Sequence, residues 1–167
     1  MQEHLQEWEI NLMAAERELK QLYPEHTDSV LRKYTSPNLP IIYLITPTYT
    51  RAVQKAELTR LSQTLLLVKG LHWIVIEDAE RPTELVHNLL KRSGLKYTLL
   101  SVGTPPKFKM TSSDPSWRKP RGVLQRNEGL KWLRKNLDSK HDQGVVYFAD
   151  DDNTYDLQLF EEVCIGF

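Results

Sequence analysis

The 167-residue sequence holds a single cysteine, Cys164, which excludes an internal disulfide framework and a cysteine-based zinc knuckle. It has no surplus charge: 22 basic and 22 acidic residues cancel, so there is no global pull toward anionic lipid, and no nucleic-acid partner is expected. No run approaches the roughly 18 apolar residues of a membrane span. The polar start Met1-Gln2-Glu3-His4 is unlike a signal peptide, and there is no Asn-x-Ser/Thr sequon. Neither Gly-x-Gly-x-x-Gly nor a Gly-Lys-Ser/Thr phosphate loop occurs, so dinucleotide-binding and ATPase readings lose their main support. The five histidines are scattered, none at metal-ligand spacing, and no serine or cysteine stands in the context of a nucleophile.

What is present is an ordinary globular composition, 40 % hydrophobic and 26 % charged, enough for one domain with a sizeable core, or one domain and an arm. The zero net charge is a sum of unlike parts. Residues 104–136 hold nine basic side chains against Asp114 and Glu128, and residues 137–167 hold Lys140 against eight acidic ones. A basic block followed by an acidic block suits a site for phosphate and a divalent metal; it equally suits two solvated faces that pair with each other.

Residues 1–23 read as an amphipathic helix, with Leu5, Trp8, Leu12, Ala15, Leu19 and Leu22 stepping 3, 4, 3, 4, 3. This is a stem that pairs two copies or lies on the domain. Residues 24–38 read as a linker, rich in proline. Beyond it the grammar changes. Ile41-Ile42-Tyr43-Leu44-Ile45 is a continuous apolar run, the mark of a strand buried on both faces. A helix from about Arg51 to Val68, ended by Gly70, leads to a second strand, His72 to Ile76. Pro82 suits the first turn of a helix through Leu85, Val86, Leu89 and Leu90, closed by Ser93-Gly94. Tyr97 to Val102 is the third strand, residues 103–120 a Pro- and Lys-rich loop, 122–136 a helix, and Val145 to Ala149 the fourth strand. Strand and helix alternating in this way predict an α/β fold, a Rossmann-like parallel sheet with helices on both faces and strand order near 3-2-1-4. Ligands in such sheets bind beyond the carboxyl ends of the strands where the order reverses. Those ends carry Pro47-Thr48-Tyr49, Glu77-Asp78 and Asp150-Asp151-Asp152.

The run Asp150-Asp151-Asp152-Asn153 is the sharpest feature. Three adjacent carboxylates repel one another, and a hard divalent cation shared with phosphate oxygens relieves that cost. The competing reading makes the run a cap for a helix at Tyr155 to Glu162. Arg121 and Arg126 could fork onto phosphate near a helix N-terminus, or lie solvated on a surface helix. Tyr49 could stack on a base and Thr48 supply a hydroxyl. Asp78 could accept from a base N–H or a ribose hydroxyl.

Four segments carry a resemblance: Leu39 to Tyr49 (Leu-Pro-Ile-Ile-Tyr-Leu-Ile-Thr-Pro-Thr-Tyr), Trp73 to Asp78 (Trp-Ile-Val-Ile-Glu-Asp), Arg118 to Asn127 (Arg-Lys-Pro-Arg-Gly-Val-Leu-Gln-Arg-Asn) and Gly144 to Tyr155 (Gly-Val-Val-Tyr-Phe-Ala-Asp-Asp-Asp-Asn-Thr-Tyr). In this order they closely resemble the β-1,3-glucuronosyltransferases, Golgi type II membrane enzymes whose full-length form is expected to be a homodimer. The resemblance implies a GT-A-type donor-binding half domain over 39–163. It implies transfer of glucuronic acid from UDP-glucuronate to a galactose-terminated glycan of the proteoglycan linkage region or of glycoproteins, with inversion and with manganese (Mn2+). It further implies that Pro47, Thr48 and Tyr49 hold the uracil, that Asp78 bonds the uridine, and that Arg121 and Arg126 contact the nucleotide sugar. Asp150, Asp151 and Asp152 form the Asp-x-Asp-type signature, with Asp152 the direct metal ligand. The resemblance ends near Val163, and residues 164–167 form a divergent tail. The acceptor half, its catalytic base and the membrane anchor are therefore expected to be missing, and an apolar sheet edge exposed. Two rivals stand beside transfer: a non-catalytic product that binds UDP or pairs with a full-length subunit, and a nucleotidyltransferase on the same sheet.

Overall fold

The computed structural model describes residues 40–109, 121–138 and 142–165, with side chains to Val163. The chain divides into two compact units, 1–39 and 40–167. The expected stem helix and linker lie outside the described residues, as do Arg118 and the rest of 110–120.

Four strands, β1 (Ile41–Thr48), β2 (Leu71–Glu77), β3 (Tyr97–Ser101) and β4 (Gly144–Phe148), alternate with helices α1 (Gln54–Leu65), α2 (Glu84–Ser93), α3 (Val123–Asn136) and α4 (Leu157–Ile165). The sheet is wholly parallel with order β3-β2-β1-β4, as the pattern of apolar runs predicts. Alternate residues of the central strands serve two cores. Ile42, Leu44, Trp73 and Val75 pack with Leu58, Leu61 and Leu65 of α1, Val86 and Leu90 of α2 and Phe160 of α4. Tyr43, Ile45, Ile74 and Ile76 pack with Leu133 of α3. Among the described residues no buried side-chain polar atom lacks a partner, and no helix is long and apolar enough to cross a membrane.

Several boundaries differ from expectation for local reasons. Helix α1 stops at Leu65, because Leu67 and Val68 N–H bond to the carbonyls three residues back, at 3.1 Å each, which tightens the last turn and ends the α pattern. Pro82 lies before the first turn of α2, which Thr83 caps, its hydroxyl accepting from Val86 N–H. The strand at β1 runs on through Pro47 and Thr48. Pro47 is tolerated inside the sheet because the even residues Ile42 and Thr48 bond toward β2 and the odd residue Ile45 toward β4, whose pairing ends at Ile45–Phe148. The missing N–H of Pro47 thus faces the side where β4 has already turned away. Among the described residues only β1 and β2 are buried on both faces. Within the same residues β4 is an edge strand, and its Val146 and Phe148 side chains are 42 % and 44 % exposed.

Helix α3 sits close on the sheet through Gly129, where a Cβ would come within 3.0–3.1 Å of Ile45 and Ile76 side-chain carbons. That close approach brings the N-terminus of α3 to the carboxyl end of β1, beside the point where the strand order reverses.

Candidate functional site

At that reversal the exits of β1 and β4 are tied by a buried polar cluster. Thr48, 2 % exposed, donates from Oγ1 to Asp151 Oδ2 at 2.6 Å and accepts from Gln54 Nε2 at 3.0 Å. Arg51 donates from Nη2 to Asp151 Oδ1 at 2.8 Å and also pairs with Glu57. Burial works against the Arg51 charge, but the hydrogen bonds and charges of Asp151 and Glu57 outweigh it and hold the guanidinium above its usual pKa. Asp151 is therefore turned inward, 5 % exposed, with both oxygens engaged by the fold.

Its neighbours face outward. The Asp150 carboxylate, half exposed, pairs with Arg126 Nη2, and this is one place where the basic and acidic blocks of the sequence meet. Asp152 is exposed, and its backbone carbonyl accepts from Arg60 Nη2 at 2.8 Å. The turn is braced from behind by Tyr155, whose hydroxyl donates to the Asp150 carbonyl at 3.2 Å and whose ring packs against Tyr147 and Phe160. Burial is the main reason the Tyr155 phenol sits above its usual pKa, outweighing its hydrogen bonds with Asn153 and Asp150. Helix α4 begins beyond the acidic run, with Asp156 Oδ1 accepting from Gln158 N–H at 2.9 Å. The capping alternative for Asp150 to Asp152 is thus filled by another residue.

Arg126 reaches Asp150 from α3. Its Nη1 also donates to the Arg121 carbonyl at 2.9 Å. Gly122 makes this possible: it starts α3 in the left-handed region at φ +67°, and a Cβ there would lie 2.8 Å from Arg126 Nη1 and 3.1 Å from the Pro47 ring. Arg121, the residue before it, is exposed at the same helix start.

On the other side of β1, Tyr49 is 54 % exposed, with Arg51 Cζ 4.5 Å from its ring centroid. Asp78, at the exit of β2, accepts from Thr104 N–H at 2.6 Å and from Thr104 Oγ1 at 2.8 Å. Gln125 of α3 in turn donates to the Val102 carbonyl at 2.9 Å and to Thr104 Oγ1 at 3.3 Å, so the loop after β3 locks the Asp78 carboxylate. Glu77, the other acidic residue at that exit, is fully buried and accepts from Thr83 N–H and Oγ1. It anchors α2.

The structure thus brings Thr48 to Asp151 and Arg126 to Asp150, adjacent residues of one turn, with the Pro47 ring close to Gly122. Tyr49 joins that turn through Arg51, and Asp78 joins α3 through Thr104 and Gln125. Arg51, Gln54, Glu57, Arg60, Thr104, Gln125 and Gly122 are not among the residues that the sequence pattern singles out. A signal existed for two of them: Gln54 and Gln125 occupy the first position of otherwise apolar stripes, Gln54-Leu58-Leu61-Leu65 and Gln125-Gly129-Leu133. Among the described residues no group of three or more His, Cys, Asp or Glu could enclose a metal. Asp152 and the second oxygen of Asp150 suit instead a cation held by one or two carboxylates and shared with phosphate oxygens.

An open parallel α/β sheet with arginine, carboxylate and aromatic groups gathered at its switch point defines an α/β domain of the doubly wound type, a fold in which ligands bind at that point. The chain belongs to glycosyltransferase family 43, whose model matches residues 61–164. It is 56 % identical over 134 residues to galactosylgalactosylxylosylprotein 3-beta-glucuronosyltransferase 3 of Homo sapiens, covering 75 % of this chain and 40 % of that protein. Against the human 3-beta-glucuronosyltransferase 1 the identity is 55 % over 129 residues, with 77 % and 39 % covered. Against 3-beta-glucuronosyltransferase I of Drosophila melanogaster it is 53 % over 128 residues, with 75 % and 41 % covered. The chain spans about 40 % of the length of these curated relatives.

Proposed function

We propose that residues 40–163 form the donor-binding half of a manganese-dependent, inverting 3-beta-glucuronosyltransferase, which takes glucuronic acid from UDP-glucuronate to a galactose-terminated glycan of a proteoglycan linkage region or a glycoprotein. The observation that carries this reading is the convergence of Tyr49, Asp78, Arg126, Asp150 and Asp152 on one sheet end, in a chain 53–56 % identical to relatives named for that activity. The nucleotidyltransferase alternative leaves the four ordered segments, Leu39 to Tyr49, Trp73 to Asp78, Arg118 to Asn127 and Gly144 to Tyr155, unexplained.

In this reading the exposed Tyr49 ring stacks on the uracil, beside Pro47 and Thr48. Asp78, held by Thr104, offers its remaining lone pairs to a base N–H or ribose hydroxyl. Arg121 and Arg126 take up the negative charge of the nucleotide sugar, and the start of α3 adds a favourable dipole. Asp152 is the direct metal ligand, with Asp150 beside it and Asp151 fixing the turn from within. Manganese, when bound, supplies positive charge to the departing diphosphate. The galactose site and the general base belong, in this proposal, to the part of the relatives that this sequence does not span. These 167 residues by themselves then bind UDP without transferring glucuronate at the rate of a whole enzyme.

Calorimetric titration with UDP, in manganese and in chelator, tests the site. Manganese should strengthen binding, and Asp152→Ala should remove that dependence; equal affinity in both buffers would sink the metal assignment. A radiolabelled transfer assay tests the rest, since robust turnover by the purified chain would place the base within it.

A further inference from the structure

Arg51 touches both halves of the polar cluster. Its Cζ lies 4.5 Å from the centroid of the Tyr49 ring, and its Nη1 donates to the Tyr49 carbonyl at 3.2 Å. Its Nη2 donates to Asp151 Oδ1 at 2.8 Å, across 100 residues of sequence, and Glu57 holds the same nitrogen from α1. Asp151 is the peptide neighbour of Asp152, whose carbonyl is tied to α1 by Arg60. One planar group therefore abuts the aromatic ring at the exit of β1 and the acidic turn at the exit of β4. A guanidinium can do both, because its face and its N–H fork are used in perpendicular directions; an ammonium has neither a plane nor a fork.

The guanidinium itself is mostly covered, its side chain 14 % exposed, with both Nη atoms already engaged by Tyr49, Glu57 and Asp151. It is poorly placed to be a ligand-contacting group. We propose that Arg51 is a positioning residue that couples the stacking platform Tyr49 to the acidic turn, setting the separation between the place of the base and the place of the metal-bound diphosphate. This rests on the nucleotide-donor reading of the site. The two places are separate epitopes of one ligand, and a rigid link between them lowers the ordering cost of binding both at once. Loss of the link should weaken both ends, although Arg51 contacts neither.

The test uses three probes on the full chain: uridine, UDP with manganese, and UDP with chelator. Tyr49→Ala should weaken uridine and leave the manganese dependence of UDP binding in place. Asp152→Asn should do the reverse. Arg51→Gln, checked for an unaltered circular dichroism spectrum, should weaken uridine roughly three- to tenfold, the span expected for a partly desolvated cation–π contact, and should also reduce the gain from manganese. Arg51→Lys, which keeps a charge but has neither plane nor fork, should weaken both ends, each by less than Arg51→Gln; it also serves as the measured variant if Arg51→Gln does not fold. A change in one end alone, or in neither, overturns the coupling. Failure of the wild-type chain to bind any probe overturns the donor reading itself and the coupling with it, whereas wild-type binding with an indifferent Arg51 variant overturns the coupling only.

Discussion

Gly122→Ala is the substitution whose effect the geometry specifies most closely. Gly122 stands at φ +67°, where a side chain costs about 1–2 kcal/mol. A Cβ there would also lie 2.8 Å from Arg126 Nη1 and 3.1 Å from the Pro47 Cβ and Cγ. The arginine end can move cheaply, but the proline ring sits in a strand and yields less, which adds roughly 1 kcal/mol of overpacking. The sum is about 2–3 kcal/mol, or a fall of roughly 5–12 °C in melting temperature for a domain of this size. Gly94 supplies the control, since at φ +72° it carries the same backbone strain with nothing within 4 Å of its would-be Cβ. Gly94→Ala should lower stability by about 1–2 kcal/mol and leave the site untouched. In Gly122→Ala, Arg126 is pushed off the Arg121 carbonyl and the Asp150 carboxylate. Deprived of that charge-assisted partner, UDP should bind roughly tenfold more weakly, or worse. Circular dichroism melts and calorimetry on both variants decide the matter. Wild-type UDP affinity in Gly122→Ala would refute this account, as would an equal weakening in Gly94→Ala.

Two further outcomes follow from the same contacts. Thr48→Val should cost about 2–4 kcal/mol by urea denaturation, because it strands both Asp151 Oδ2 and Gln54 Nε2 in a buried setting; a loss under about 1 kcal/mol would mean that water or a new partner replaces the hydroxyl. His72, buried between the Tyr43 and Trp132 rings and bonded to Thr98, has its pKa lowered first by burial and then by the Lys96 charge. The unfolded chain therefore binds the proton more tightly, so its contribution to stability is complete above about pH 6.5 and falls away as pH drops toward the lowered native value. Between about pH 7.5 and about pH 5.5 the urea midpoint should fall for the wild type and fall less for His72→Gln; equal falls would remove His72 from the account.

Much of this molecule is legible in one dimension. A parallel strand buried on both faces must be a continuous apolar run, so Ile41 to Ile45 and His72 to Ile76 announce the two central strands, and the alternation of strand and helix dictates the order β3-β2-β1-β4. Because a polar segment must follow each such run, Tyr49, Asp78 and the Asp150 to Asp152 turn are placed at the sheet's carboxyl end by connectivity alone. The sequence does not decide which way a side chain in a turn points. Asp150, Asp151 and Asp152 are equivalent in composition, yet one is drawn inward by Thr48 and Arg51, partners 103 and 100 residues away, while its neighbours face out. Nor does it show that Val146 and Phe148 are exposed, since that depends on what covers their face of β4. Local pattern determines elements and their order, because it reflects burial averaged over a strand or a helix. The identity of each contact is decided by tertiary structure, where distant residues meet through short-range forces that leave no period in the sequence.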